Sequence, residues 1–536
     1  YCDNDVIATE EVFNHLKGDW TARQILADIA GMKVNDTTNS LTTRIIFDRM
    51  QNPQNEFQYR DLAQPVKELT DEVLKFLKEA CPEMMDIPFG EEESLLPYFK
   101  DYKYQNGVST YLGEEVGEGG YVYAEPHMYG NVALLDVASM HPHSIIAECL
   151  FGPRFTRRFK EIVDGRVMIK HQAWNEVNDI LGGKLAPYIK KVQDGEMSSG
   201  DLANALKTAI NSVYGLTSAA FMNAFRDPRN KDNIVAKRGA LFMVDLKKAV
   251  QERGYTVAHI KTDSIKIPDA SNDIIRFVMD FGKKYGYTFE HEATYDKMCL
   301  VNDAVYIAKY DTEESCMLKY GYIPSEVKKH PGQWTATGKQ FQVPYVFKTL
   351  FSKEPIEFYD MCEVMSVTTA LYLDMNEQLP DVEDQEKALA KLLKANDIPF
   401  EEYYDFINGG KSVTDSAELE RTIRRLTDDI SKGHDYHFVG RVGQFTPVVN
   451  GCGGGVLVRS SDGKYSAPSG TKGYRFMESE MVKQLHKEAF INRGYYDRLV
   501  DEAKETISKY GDFEWFVSED RYSKNSPPEG DWKDGV

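Results

Sequence analysis

Long hydrophobic runs are missing from this 536-residue chain. No stretch of about 18 apolar residues is available to cross a bilayer, and no apolar leader opens the chain, so nothing indicates a membrane partner or secretion. Cysteine is scarce: seven, scattered singly, odd in number and without a Cys-x-x-Cys pair. That argues against a disulfide framework and a zinc site, and for a reducing, cytoplasmic location. Positive charge is short too. With 64 Lys and Arg against 84 Asp and Glu, the net charge is −20, a poor overall composition for holding a polyanion. The deficit is uneven, however. Residues 1–120 hold 23 acidic and 11 basic side chains, 151–215 hold 7 and 10, and Arg226 to Arg238 adds five basic against two acidic. A polyanion is therefore expected to meet the middle of the chain, with the acidic N-terminal part on the outer surface.

Two aspartates at the ends of apolar runs carry the strongest signal. Asn131-Val132-Ala133-Leu134-Leu135 lacks helical spacing and reads as a buried strand ending at Asp136. Pro142 then closes the strand and starts a turn toward a helix, leaving the N–H groups of Ser139 and Met140 free to face an anion. The plain alternative is that Asp136 only caps that helix. The second aspartate, Asp263, lies between the β-type runs Tyr255 to Ile260 and Ile265 to Ile267, at the tip of an expected hairpin. Taken alone, it is an ordinary turn aspartate. Between the two, Lys207, Asn211 and Tyr214 stand at i, i+4 and i+7 on one helix face, with Gly215 as a helix stop. A cation, an amide and a ring in a row suit a triphosphate, a sugar and a base. Paired carboxylates brought together by folding suit two divalent cations beside a phosphoryl group. The order carboxylate, basic helix, carboxylate suggests nucleotidyl transfer.

The strings DVASMHPHSI from Asp136, KTAINSVYG from Lys207 and KTDS from Lys261 resemble motifs A, B and C of the family B (DNA polymerase alpha-like) DNA polymerases, in that family's order. Gly119 to Pro126 is similar to the segment that leads into the family's palm. Arg166 and Lys170, one helical turn apart, resemble the pair that grips the incoming triphosphate, with Arg forking onto two oxygens and Lys acting as a point charge. Tyr1 and Asp5 are similar to the third exonuclease motif.

The resemblance implies an α+β, right-hand polymerase fold with palm, short fingers and thumb, preceded by an exonuclease remnant. The expected boundaries are remnant and connector 1–84, palm 85–150 and 216–345, fingers 151–215, and thumb 346–536 with a β-rich, glycine-containing module near 437–475. Asp136, the backbone of Val137 and Asp263 are expected to hold two Mg²⁺ ions, with Mn²⁺ as a substitute. Ser139, Met140, His141, Arg166, Lys170, Lys207, Asn211 and Tyr214 are expected at the dNTP, and Lys207 also as proton donor to the pyrophosphate. Primer-template DNA is the main partner, with a separate exonuclease segment or a processivity factor as others. A bacteriophage type working in an infected bacterial cell is implied, as is an absence of proofreading by this chain alone.

The departures matter as much. Lys261 stands where motif C usually carries another aspartate, placing positive charge beside the metals or against a primer phosphate. His141 replaces the tyrosine that excludes a 2′-hydroxyl, which predicts weaker ribonucleotide exclusion. Tyr306 keeps the primer-contacting tyrosine without its lysines, with Lys309 as a substitute. Two rival readings remain, a polymerase copying RNA and a catalytically silent DNA-binding relative.

Beyond Phe341 the resemblance is faint. Residues 346–435 read as helical, the glycine run at 451–455 as a tight β-turn rather than a phosphate loop, and the tail from Ser523 as loosely ordered. Arg441, Arg459, Lys464, Lys472 and Arg475 suit either a duplex-facing sheet or scattered surface charge.

Overall fold

A computed structural model describes residues 2–376, 379–461 and 463–523. Tyr1 and the tail beyond Ser523 lie outside the described residues. The chain divides into two compact units, one reaching Thr335 and rejoined from Glu519, the other Ala336–Ser518.

In the first unit, a small antiparallel sheet of β1 (Lys103–Gln105), β2 (Val108–Tyr111) and β3 (Glu114–Val116) precedes a seven-stranded one. The larger sheet comprises β4 (Val122–Ala124), β5 (His127–Val137), β6 (His259–Lys261), β7 (Ser264–Pro268), β8 (Phe289–Asn302), β9 (Val305–Tyr310) and β10 (Trp334–Thr337). Their order is β10-β9-β8-β5-β7-β6-β4, which puts β5 between β8 and β7.

The residues of β5 alternate between two different environments. Ala133, Leu135 and Val137 join Ile265 and Ile267 in a core shared with the helices Ile234–Glu252 and Asn272–Lys284. Each fully buried Leu, Ile or Val side chain contributes about 1.5–3 kcal/mol there. Val132 and Leu134, on the opposite face, join a smaller cluster with Ala293, Tyr295 and Met298. Asp136 comes next on that second face, so the alternation of the strand delivers its carboxylate to the side away from the helices.

A buried ion network fastens the helical side. Glu148 accepts from Arg238 Nε at 2.6 Å and from Arg60 at 2.5 and 2.7 Å, and Arg238 is fully buried. The two guanidiniums hold the Glu148 carboxyl below its ordinary range against the opposing effect of burial.

Helices Gly152–Lys170 and Ser199–Ser218 pack together, with Gly165 against Ile180 and Leu206. Gly215 does not stop the second of these, as the sequence suggested. The helix continues to Ser218 because Leu216 and Thr217 extend its buried face, a gain that outweighs the roughly 1 kcal/mol cost of an internal glycine.

From Glu519 the chain crosses the second face of the large sheet. Arg521 pairs with Asp311 and Asp296, and the Tyr522 hydroxyl donates to Asp269 at 3.2 Å. The Tyr522 ring occupies space that only glycine leaves open at position 130, where a Cβ would lie 2.0 Å from it.

The second unit carries β11 (Glu363–Asp374), β12 (Tyr436–Val448), β13 (Gly455–Ser461), β14 (Lys464–Ser466) and β15 (Arg475–Glu478). β11 pairs with both β12 and β13, as does β15, so the sheet curls back on itself. Leu371, Leu373, Phe445, Leu457 and Phe476 form its core. Between β11 and β12, helices Leu379–Ala395, Phe400–Ile407 and Ala417–Gly433 pack around Leu393, Phe406 and Ile423. The expectation of helix throughout 346–435 missed β11, whose first residues alternate inward Glu363 and Met365 with outward Val364 and Ser366. That is a period of two, not 3.6.

Candidate active site

The acidic pair is assembled by the sheet ladder. Asp136 lies opposite Ser264 on β7 and Glu290 on β8. The next residue, Val137, donates its N–H to the Asp263 carbonyl at 2.8 Å, stitching the end of β5 to the tip of the β6–β7 hairpin. That hairpin turns through Thr262 and Asp263. Thr262 has φ 58° and donates its N–H to the Tyr121 carbonyl at 2.9 Å. Gly120, at φ +143°, lets this approach happen, since a Cβ there would lie 3.0 Å from Thr262 Cγ2.

Burial drives the electrostatics of the pair. It pushes the Asp136 carboxyl up to about 8, with the charges of Asp263, Glu292 and Glu290 adding and Lys266 opposing. Burial likewise raises Asp263. Lys266, which sequence reasoning missed, is 3 % exposed. Its ammonium donates to His259 Nδ1 at 3.1 Å and stands 4.9 Å from the Tyr306 ring centre. His259 donates from Nε2 to the Asp303 carbonyl at 3.0 Å, which leaves Nδ1 free to accept from Lys266. Burial lowers Lys266 to about 8 and, with Lys266 beside it, His259 to about 4. Lys261 is exposed at the rim, paired in the ladder with Ser264 and Val122.

The cations line a separate cleft in the same unit. Arg166 and Lys170 on one helix and Lys207 on the other border a cavity of about 450 Å³ with Ser199, Ala203 and Asn204. Arg166, and then burial, lower the Lys170 ammonium, while Glu290 of the sheet opposes them. Lys170 of the cleft and Glu290 of the sheet therefore feel each other's charge.

A ring stack joins the motif that follows β5 to the second of these helices. His141 lies on Tyr214 with centroids 4.1 Å apart and planes at 25°. Burial lowers the pKa of the imidazole, and its buried Nε2 has no hydrogen-bond partner among the described residues. Asn211 is exposed on the same helix. Ser139, at φ 56°, precedes helix Met140–Ala147. Ala138 spends its N–H on the Thr288 carbonyl, and the first-turn donors that follow have no acceptor within the helix.

Other expected residues have the following surroundings. Tyr306 packs beside His259 and Lys266. Lys309 is ion-paired with Glu519 at 2.9 Å, its side chain 12 % exposed. Asp5 is exposed in helix Cys2–His15.

The donor set near Asp136 and Asp263 consists of hard oxygens in a partly buried place that holds like charges together, which fits a hard divalent cation such as Mg²⁺ or Mn²⁺. Among the described residues no group of three or more His, Cys, Asp or Glu side chains is placed to hold a metal ion. A cation here would draw only part of its shell from the protein, as Mg²⁺ commonly does. Also among the described residues, no helix is long and apolar enough to cross a membrane.

No family model and no curated protein matches the chain. Among solved structures, the chain is similar to the family B DNA polymerase from the hyperthermophilic archaeon Pyrobaculum calidifontis, at 13 % identity and a TM-score of 0.37. The match covers 94 % of this chain and 55 % of that one, so the chain spans about half of the polymerase's length.

Proposed function

We propose that the chain is a template-directed DNA polymerase of the two-metal kind, adding dNMP units to a primer 3′-hydroxyl and releasing pyrophosphate. The observation that carries the reading is the stitching of Asp136 to Asp263 across adjacent strands, in a sheet whose Glu290, opposite Asp136, acts on Lys170 of the cleft that Arg166 and Lys207 also border. On this reading the large sheet is the palm, the two packed helices are the fingers, and the second unit is the thumb. The N-terminal helix belongs to an exonuclease remnant.

Asp136, Asp263 and the backbone of Val137 would hold two Mg²⁺ ions, which when bound supply Lewis acidity to the attacking hydroxyl and the leaving phosphate. The chain's own groups do the rest. Arg166 forks onto phosphate oxygens while Lys170 and Lys207 add point charges, and Lys207 can pass a proton to the departing pyrophosphate. The His141–Tyr214 stack forms a flat wall for the sugar and base. Lys261 at the rim faces the primer phosphate.

The test is extension of a labelled DNA primer on DNA and RNA templates with Mg²⁺, by wild type and by Asp263→Ala. Extension on DNA that disappears in the variant is expected. A second reading, a silent DNA-binding relative, draws on Lys261 and Lys266, which set positive charge close to the carboxylates. Primer binding without extension on either template would select it.

A further inference from the structure

A cavity of about 910 Å³ in the second unit lies on the outward face of the curled sheet. Its floor is Val456 and Val458 of β13, and its wall is a column of parallel rings. His434 stacks on Tyr436 at 4.8 Å and 15°, and Tyr436 stacks on Tyr465 at 4.0 Å and 9°. The inner end of the column is fixed, because His434 is held through both ring nitrogens, by Asp374 at 2.5 Å and Glu386 at 2.9 Å. The outer end is open. Tyr465 is 42 % exposed, and among the described residues no ring is stacked on its far face.

Donors stand at the other side. Arg475 is 6 % exposed and donates to the carbonyls of Met375, Asn376 and Gly454, which leaves its buried Nε–H without a partner. Lys472 lines the same cavity. The basic side chains that line the cavity are Lys472 and Arg475, and its two acidic ones, Asp374 and Glu386, are both bound to His434.

An open ring face with a lysine on the same cavity suits a planar base that carries a phosphate. A duplex does not offer such a base, since its ring faces are already stacked on their neighbours. Aromatic platforms with basic borders hold unpaired bases with little regard to sequence. We propose that this cavity takes one nucleotide of a single strand, its base laid on the open face of Tyr465 and its phosphate toward Lys472. The site lies within the second unit and is independent of the two aspartates.

The test uses the full chain in EDTA, with fluorescence anisotropy of a labelled oligothymidylate and photocrosslinking of the same strand carrying 5-iodouracil. Tyr465→Ala is expected to weaken binding about ten-fold, while Tyr465→Trp retains it. Lys472→Ala is expected to reduce the salt slope of binding by about one. Crosslinks are expected on Tyr465 or Tyr436. Should Tyr465→Ala fail to fold, by circular dichroism, the Lys472 slope and the crosslink map decide instead. Wild-type binding by a folded Tyr465→Ala, an unchanged slope in Lys472→Ala, or crosslinks confined to residues outside 434–476 would overturn the proposal. Thymidine monophosphate binding as tightly as the strand would overturn it too, assigning the cavity to a free nucleotide.

Discussion

Replacing Asp136 by Asn should stabilise the metal-free protein, and by more at alkaline pH than at acid pH. The wild-type carboxyl is raised from 3.8 to about 8 in the fold, first by burial and then by Asp263, Glu292 and Glu290. A raised acid keeps its proton when folded and loses it when unfolded, so its contribution to stability is full below 3.8. It falls as pH rises and is gone above about 8. Asparagine cannot ionise and does not follow that decline. Between pH 6 and pH 8 the wild type loses up to about 1.4 kcal/mol per pH unit relative to the variant. Partial exposure of the carboxyl screens the effect, which leaves about 1–2 kcal/mol over the interval. Urea unfolding in EDTA at pH 6 and pH 9 measures it. A stability difference between variant and wild type that is the same at both pH values would refute the burial argument. Added Mg²⁺ should stabilise the wild type more than the variant.

Three further outcomes follow from other parts of the molecule. Glu148→Gln leaves Arg238 and Arg60 as unpaired buried charges and should cost about 3–5 kcal/mol in urea unfolding. Because the Glu148 carboxyl is lowered by its partners, its contribution is present above the ordinary carboxylate range and is lost as pH falls through the folded value. Lys207→Ala should raise the KM for dNTP roughly 10- to 100-fold in primer extension, the worth of one charge-assisted phosphate contact. His141→Tyr should sharpen discrimination against ribonucleotides, read as the ratio of kcat/KM for dNTP and rNTP. Equal or weaker discrimination would remove His141 from sugar selection.

The parts of the site legible in the sequence are those with local signals. The apolar run before Asp136 and the β-type segments around Asp263 predict a strand end and a hairpin tip, and β5, β6 and β7 form them, although β6 is only His259–Lys261 and the expected run from Tyr255 to Ala258 is not strand. The helix face of Lys207, Asn211 and Tyr214 follows from spacing alone. Lys266 was not legible because its role depends on register. Alternation of β7 sends it to the same face as Asp136, and cross-strand pairing with His259 supplies its partner. Glu290 and Glu292 were missed for the same reason, since a bulge opposite Leu134 and Leu135 decides which glutamate faces Asp136. Arg60, Glu148 and Arg238 meet from positions 88 and 90 residues apart, with no periodicity to betray them. Lys309 read as a free cation because its partner, Glu519, is 210 residues away.

The hydrogen bond from Val137 to the Asp263 carbonyl has a consequence for motion. The two aspartates are joined through backbone, in a sheet that exchanges its amide hydrogens only when strands part, so their spacing is set by the ladder and not by side-chain choice. Lys170 and Lys207, in contrast, are exposed on a helix pair outside that sheet. One half of the site is thus an anvil fixed by backbone, and the other is a set of exposed long side chains whose rotamers change on the nanosecond scale.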